Sequence, residues 1–181
     1  LAIARGQPAR LRRLLDNLIE MVRIDSGTVA AAIEPVDLTD AVAGAVHDLR
    51  DLLPDARLDF RVPPDLPLVP ADPRLLHHIL LNLLTNAATH GAGKVTIAGE
   101  RLPHGVRLSI ADQGPGLPPG GADALFEAFA RGTGSDSRGG SGLGLAIARS
   151  FAEVMNVRIS ASDREDGGAV FTLDFALGSG A

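Results

Sequence analysis

Asn82 and Asn86 stand four residues apart in a run of leucines, so on a helix both amides project from one face. A neutral amide oxygen is a good ligand for Mg²⁺ when a polyphosphate supplies the negative charge and water completes the octahedron. Asp112 closes an apolar alternation (Val106, Leu108, Ile110) and opens Asp112-Gln113-Gly114-Pro115-Gly116. A carboxylate at a strand end can accept a charge-assisted hydrogen bond from an exocyclic amine such as that of adenine. Gly114 and Gly116 let the backbone pass close to a flat base. Gly140-Ser141-Gly142-Leu143-Gly144 leads straight into an apolar helical pattern. Free N–H groups at a helix N-terminus bind anions, the glycines admit a phosphate to them, and Ser141 adds a hydroxyl donor. Before this segment, Phe126 and Phe129 flank Glu127-Ala128, with Arg131 following. Each motif alone has a plainer reading: amides capping backbone, an Asp-Gly turn, tight helix packing, core aromatics. In this order they supply a metal ligand, a base reader, a lid anchor and a phosphate cradle.

Two other clusters fail on geometry. His78, Asn82, Asn86 and His90 share one helix face, but they span about 18 Å at 1.5 Å per residue, too far for one zinc ion. Gly91-Ala92-Gly93-Lys94 lacks the Ser/Thr after Lys94 and the first glycine of a P-loop, and it lies between a helix and a strand in the wrong order.

The elements that must position these residues follow from periodicity. Ala9 to Ile24 reads as an amphipathic helix, with Leu11, Leu14, Leu15, Leu18, Ile19, Met21 and Val22 at helical spacing and Gly27 as its stop. Such a wide stripe needs a partner surface, either its own domain or a second helix. A short strand is predicted over Thr28 to Glu34, a helix over Leu38 to Leu53 and a strand over Arg57 to Val62. Pro63, Pro64, Pro67 and Pro70 read as a stiff connection. Asp72 is an N-cap with Pro73 at the first helical position, starting a helix that runs to about His90. Lys94 to Glu100 and Gly105 to Asp112 alternate around a turn at Leu102–His104 and predict a hairpin. One short helix is expected around Phe126, another helix over Gly142 to Met155, and two final strands flank Gly167-Gly168. Helices and strands in this order imply a mixed sheet with helices on one face.

The chain has 181 residues, suiting one domain with a short appended element, and 45% hydrophobic residues are enough for a core. Aromatics are only 3%, so that core is aliphatic. A net charge of −5, with scattered arginines and Lys94 as the single lysine, argues against a nucleic-acid surface. The absence of cysteine excludes disulfides and thiol catalysis. No apolar run approaches the ~18 residues that span a bilayer. Leu1 in place of an initiator Met leads us to expect a piece of a longer protein.

The four motifs, in order and across nearly the whole chain, resemble the N, G1, F and G2 boxes of sensor histidine kinases, whose catalytic domain is of the GHKL (Bergerat) type. The resemblance implies a two-layer α/β sandwich with a mixed sheet, with ATP and Mg²⁺ as cofactors. It implies that Asn82, Asn86 and Arg131 serve catalysis and that Asn86 holds Mg²⁺. The nucleotide would be lined by Asn86, Asp112, Gly114, Gly116, Phe129, Arg131, Gly140, Ser141, Gly142, Leu143 and Gly144. Residues 1–27, ending in LLDNLIEMVRIDSG, resemble the second helix of the dimerisation and phosphoacceptor hairpin, and residues 28–178 the catalytic domain. The partners implied are that hairpin, a response regulator and, in the full-length protein, a second copy. The implied location is cytoplasmic, on a parent anchored in the bacterial inner membrane. Leu66 to Asp72 and Phe126 to Gly134 resemble the potassium- and osmosensing members.

Within this resemblance some residues depart. Related ATPases of the gyrase and MutL type carry a water-activating Glu at position 82, and Asn cannot act as a general base, which favours phosphotransfer over hydrolysis. Thr89 replaces a common phosphate-holding Lys, and His90 a common aromatic. His47-Asp48-Leu49-Arg50 resembles the phosphoacceptor box but follows the hairpin helix instead of preceding it, so it reads as a decoy. Two alternatives stand beside the kinase reading: an anti-sigma-type Ser/Thr kinase of the same superfamily, and a nucleotide-binding module without catalysis.

Overall fold

In the computed structural model, which describes residues 19, 22, 30–127 and 143–178, strand β1 (Glu34–Val36) is followed by helix α1 (Leu38–Asp48). A 3-10 turn, Asp55–Arg57, then leads to β2 (Leu58–Arg61) and β3 (Val69–Ala71). Helix α2 (Pro73–His90) precedes the hairpin of β4 (Val95–Leu102) and β5 (Gly105–Ala111). Short helix α3 (Gly121–Leu125), helix α4 (Gly144–Val154) and the pair β6 (Arg158–Asp163) and β7 (Ala169–Ala176) complete it.

Helix α2 forms where the sequence predicts. The Asp72 carboxylate accepts from the backbone N–H of Arg74 (2.9 Å) and Leu75 (3.3 Å), and Pro73 begins the first turn without an N–H to satisfy. Leu75, Leu76, Ile79, Leu80, Leu83, Leu84, Ala87 and Ala88 then recur at helical spacing and are buried. Asp37 caps α1 in the same way, its Oδ1 accepting from Thr39 at 2.7 Å. Helix α2 packs against both α1 and α4, and His78 meets the Phe151 ring edge-on at 6.0 Å.

Five strands form one sheet in the order β2-β4-β5-β7-β6, with β2 parallel to β4 and all other neighbours antiparallel. Alternation sends Val95, Ile97, Val106, Leu108, Ile110, Phe171, Leu173 and Phe175 into a core shared with the helices. The opposite face is polar. Glu100, Arg107, Asp174 and Arg158 are register neighbours across four strands, and Arg107 grips Asp174 through Nε at 2.7 Å and a terminal nitrogen at 2.9 Å. Beside that row, Ser160 and Thr172 hydroxyls bond at 2.6 Å. On outer strand β2, Asp59 pairs with Arg61 at 2.6 Å. This is the mixed α/β arrangement expected, with helices against one face.

Three local expectations need correction. The first strand is Glu34–Val36, later than predicted, and it pairs with β3 inside the supposed proline connection. Pro35 faces Pro70 in that register, and a separate two-stranded pair tolerates two residues that cannot donate. Helix α1 ends at Asp48, although Leu49 and Leu53 continue its buried stripe. That stripe closes as tight turns, Leu52 N to Leu49 O at 2.9 Å and Leu53 N to Leu49 O at 2.7 Å, because Pro54 disfavours helix in the residue before it. The last helix begins two residues later than predicted, at Gly144. The predicted helix over Ala9 to Ile24 lies outside the described residues except for Ile19 and Val22, which are helical and exposed. No helix among the described residues is long and apolar enough to cross a membrane.

Asp72 is fully buried. Burial pushes its carboxyl up, but hydrogen bonds from the Ala32 amide, the Arg74 side chain and the Arg74 and Leu75 amides outweigh this and hold it below the usual carboxylate range. A depressed folded-state value gives stability that is present above the unfolded value, about 3.9, and is lost as pH falls through the folded one. Asp72→Ala is therefore expected to cost about 2 kcal/mol at pH 7, with the gap to wild type narrowing below about pH 4. Urea midpoints at pH 7 and pH 3 check this; a gap of equal size at both would mean that the charge contributes nothing.

Candidate functional site

Helix α2 carries both asparagines. Asn82 lies against the start of α4, where a Cβ added at Gly144 would sit 3.3 Å from its Oδ1. Its Nδ2 is buried and has no hydrogen-bond partner among the described residues. An orphaned donor of this kind fits an anionic oxygen brought by a ligand. Asn86, one turn later, is half-buried and makes no side-chain hydrogen bond within the described residues. Among the described residues no group of three or more His, Cys, Asp or Glu could hold a metal. An amide-held dication here would depend on ligand oxygens, as Mg²⁺ on phosphate does.

Asp112 follows β5 directly and is only 5% exposed. Its Oδ1 accepts from the Gly114 N–H at 2.7 Å and more distantly from Ala169 N at 3.4 Å. Its Oδ2 has no partner among the described residues, so one oxygen belongs to the turn and the other can meet a ligand. The backbone is held as firmly: Asp112 N donates to Ala169 O (2.9 Å), and Asp112 O accepts from the Arg164 guanidinium (2.7 Å). The C-terminal end of α2 abuts this turn. A Cβ at Gly91 would stand 2.5 Å from the Asp112 Cβ, and one at Gly114 would stand 2.7 Å from His90 O. Asn82, Asn86 and Asp112 are thus gathered along one helix. The rise from Asn82 to Gly91 is about 13 Å at 1.5 Å per residue.

The remaining predicted site residues divide. Leu143 is the N-cap of α4 and accepts from Ile147 N at 2.9 Å, with no side-chain cap there. Gly116 lies in the Asp112 turn. Phe129, Arg131, Gly140, Ser141 and Gly142 lie outside the described residues. Phe126 is buried, edge-on to Phe171 at 6.4 Å and beneath the Arg149 guanidinium at 5.8 Å. Segment 91–94 packs on the Asp112 turn: Gly91 caps α2, and Lys94 N donates to Gln113 Oε1 at 3.1 Å. His47 is exposed on α1, 3.1 Å from the Arg50 guanidinium.

Sequence reasoning missed the other side of the turn. Asp163 Oδ1 accepts from Leu117 N at 2.6 Å. Gly168 has φ +93°, and a Cβ on it would fall 2.1 Å from Asp112 O. The Gly167-Gly168 pair signalled a hairpin; nothing local signalled that the second glycine also touches the Asp112 peptide.

Residues 71–179 match the family described as histidine kinase-, DNA gyrase B-, and HSP90-like ATPase. The chain is 37% identical over 169 residues to the signal transduction histidine-protein kinase AfsQ2 of Streptomyces coelicolor, covering 93% of this chain and 31% of that one. It is 36% identical over 163 residues to the sensor protein KdpD of Escherichia coli, covering 89% of this chain and 18% of that one. It therefore spans a third or less of these curated relatives. Among solved structures, full-length ShkA in complex with AMPPNP superposes with a TM-score of 0.75 at 27% identity, over 92% of this chain and 36% of that one.

Two neighbouring glycines test the contact at Asp112. Gly167 has φ +85° with open space around it, whereas Gly168 combines positive φ with the approach to Asp112 O. Gly167→Ala is expected to cost about 1–2 kcal/mol, the usual strain of a left-handed alanine. Gly168→Ala should cost clearly more and move the amide resonances of Gln113 and Gly114. Equal losses in urea denaturation would show that the close approach is slack.

Proposed function

The chain belongs to the family of histidine kinase-, DNA gyrase B-, and HSP90-like ATPases, and on that premise we propose that it contains the catalytic ATP-binding domain of a sensor histidine kinase. The observation that carries this reading is the arrangement along α2. An orphaned amide donor lies beside Gly144 at one level, and a half-committed carboxylate beside Gly91 lies at the other. A nucleoside triphosphate fits such a span, base at Asp112 and phosphates at the start of α4.

In this reading Asp112 Oδ2 accepts from the adenine 6-amino group while Oδ1 keeps the turn closed. Asn86 ligates Mg²⁺, which when bound offsets the phosphate charge. Asn82 donates its spare N–H to a phosphate oxygen, and its lack of a basic group leaves water unactivated. Gly140 to Gly144 cradle the phosphates at the N-terminus of α4, Phe129 anchors the lid, and Arg131 reaches the γ-phosphate. Catalysis then rests on positioning and charge. A nitrogen–phosphorus bond forms to an acceptor imidazole as the bridging oxygen leaves with ADP. Residues 1–27 would belong to the hairpin that bears the acceptor and pairs two copies, within a parent anchored in the bacterial inner membrane. A response-regulator Asp would receive the phosphoryl group next. The resemblance carried by the sequence from Leu66 to Asp72 and from Phe126 to Gly134 would place that parent among the potassium- and osmosensing members.

Calorimetric titration with AMPPNP, with and without Mg²⁺, tests the proposal. One saturable site strengthened by Mg²⁺ is expected. Asn86→Ala should abolish the strengthening. Asp112→Asn keeps the oxygen that closes the turn but can present a donor to the adenine amine, and it should weaken binding ten-fold or more, on the order of 1.5–3 kcal/mol. Transfer of labelled phosphate from ATP to a separately supplied acceptor hairpin is the companion assay. No binding at millimolar AMPPNP would sink the reading.

A further inference from the structure

The turn that carries Asp112 is gripped at both ends by two consecutive residues, Asp163 at the end of β6 and Arg164 just after it. At its start, Arg164 donates to Asp112 O at 2.7 Å from a part-buried position fifty-two residues away. At its end, Asp163 Oδ1 accepts from Leu117 N at 2.6 Å. The grip is itself braced. Arg164 N donates to Gly168 O at 2.9 Å and Gly167 N to Arg164 O at 3.1 Å, so the residue that reaches Asp112 sits in a closed turn. That turn also lays Gly168 against the Asp112 peptide.

The β6–β7 pairing does not require this contact. The two strands are joined residue by residue from Arg158↔Asp174 to Asp163↔Ala169, and the Arg164 side chain leaves that ladder for the neighbouring turn. What it fixes is the plane of the peptide following Asp112. With Oδ1 tied to Gly114 N, the remaining freedom of the carboxylate lies in its own backbone, and Oδ2 points where that backbone points.

We infer that Arg164, assisted by Asp163, is a positioning residue for base recognition: it aims Asp112 Oδ2 at the ligand and touches no nucleotide itself. This rests on the nucleotide reading above. Its signature is selectivity. Loss of the guanidinium misdirects Oδ2 and weakens only the bond to the exocyclic amine, leaving phosphate binding as it was.

The test compares AMPPNP with purine riboside 5′-triphosphate, which lacks the 6-amino group, on the whole chain by calorimetry. Arg164→Ala should bind AMPPNP about ten-fold more weakly, the size expected when one charged hydrogen bond is lost, with the purine riboside nucleotide unchanged. Asp163→Ala should act in the same direction, and Arg164→Lys, which keeps a cationic donor, should recover most of the loss. Thermal melts identify any variant that has unfolded, and the lysine variant then decides. Equal losses for both nucleotides would reduce Arg164 to a stabilising residue, and unchanged AMPPNP binding would remove its role; either overturns the inference while leaving the ATP site standing. A wild-type chain that binds neither nucleotide overturns the nucleotide reading itself.

Discussion

The buried carboxylate of Asp72 is the constraint from which the site is built. A charge in the core is costly unless its lone pairs are filled, and here donors come from Ala32, Arg74 and Leu75. Its own N–H meets the Met155 sulfur at 3.2 Å, just past the end of α4. One residue thereby joins the chain before β1, the first turn of α2 and the C-terminal end of α4. At the far end of α2 the need is for space, and Gly91 leaves room there for Asp112. The helix is pinned where it begins and opened where it ends, and the asparagines lie between.

The same helix also explains how the core and the site can share residues so closely spaced. Its buried stripe ends the solvent access of one face and leaves Asn82 and Asn86 half-buried at its boundary, Asn82 against the start of α4. Glycine at 144 eases the approach of the two helices at the level of Asn82, where a Cβ would stand 3.3 Å from the amide oxygen. At Asp112 the division is finer still, since a single carboxylate gives one oxygen to the fold and keeps the other without a partner among the described residues.

Most of this was legible where the signals are local. The Asp72-Pro73 start, the leucine periodicity of α2 and the alternation of β4 and β5 each depend on neighbours a few residues apart, and all three formed as read. Asn82, Asn86 and Asp112 were legible as motifs. Strand β3 was hidden because prolines lower strand propensity without forbidding an isolated two-stranded pairing. The end of α1 was hidden because its apolar stripe continues into turns. Arg164 was invisible for a deeper reason. A long side chain donating to a backbone carbonyl fifty-two residues away leaves no pattern in composition or spacing.

The open face of the sheet completes its own bonding sideways, charge to opposite charge and hydroxyl to hydroxyl. The outer strands carry charge as well: Asp59 and Arg61 on β2, Arg158 and Asp163 on β6. Charged, short outer strands discourage the addition of a foreign strand. A sheet that is content with one layer of helices and resists extension is a poor seed for aggregation. A domain built this way can be held at high local concentration beside identical copies while its strands remain its own.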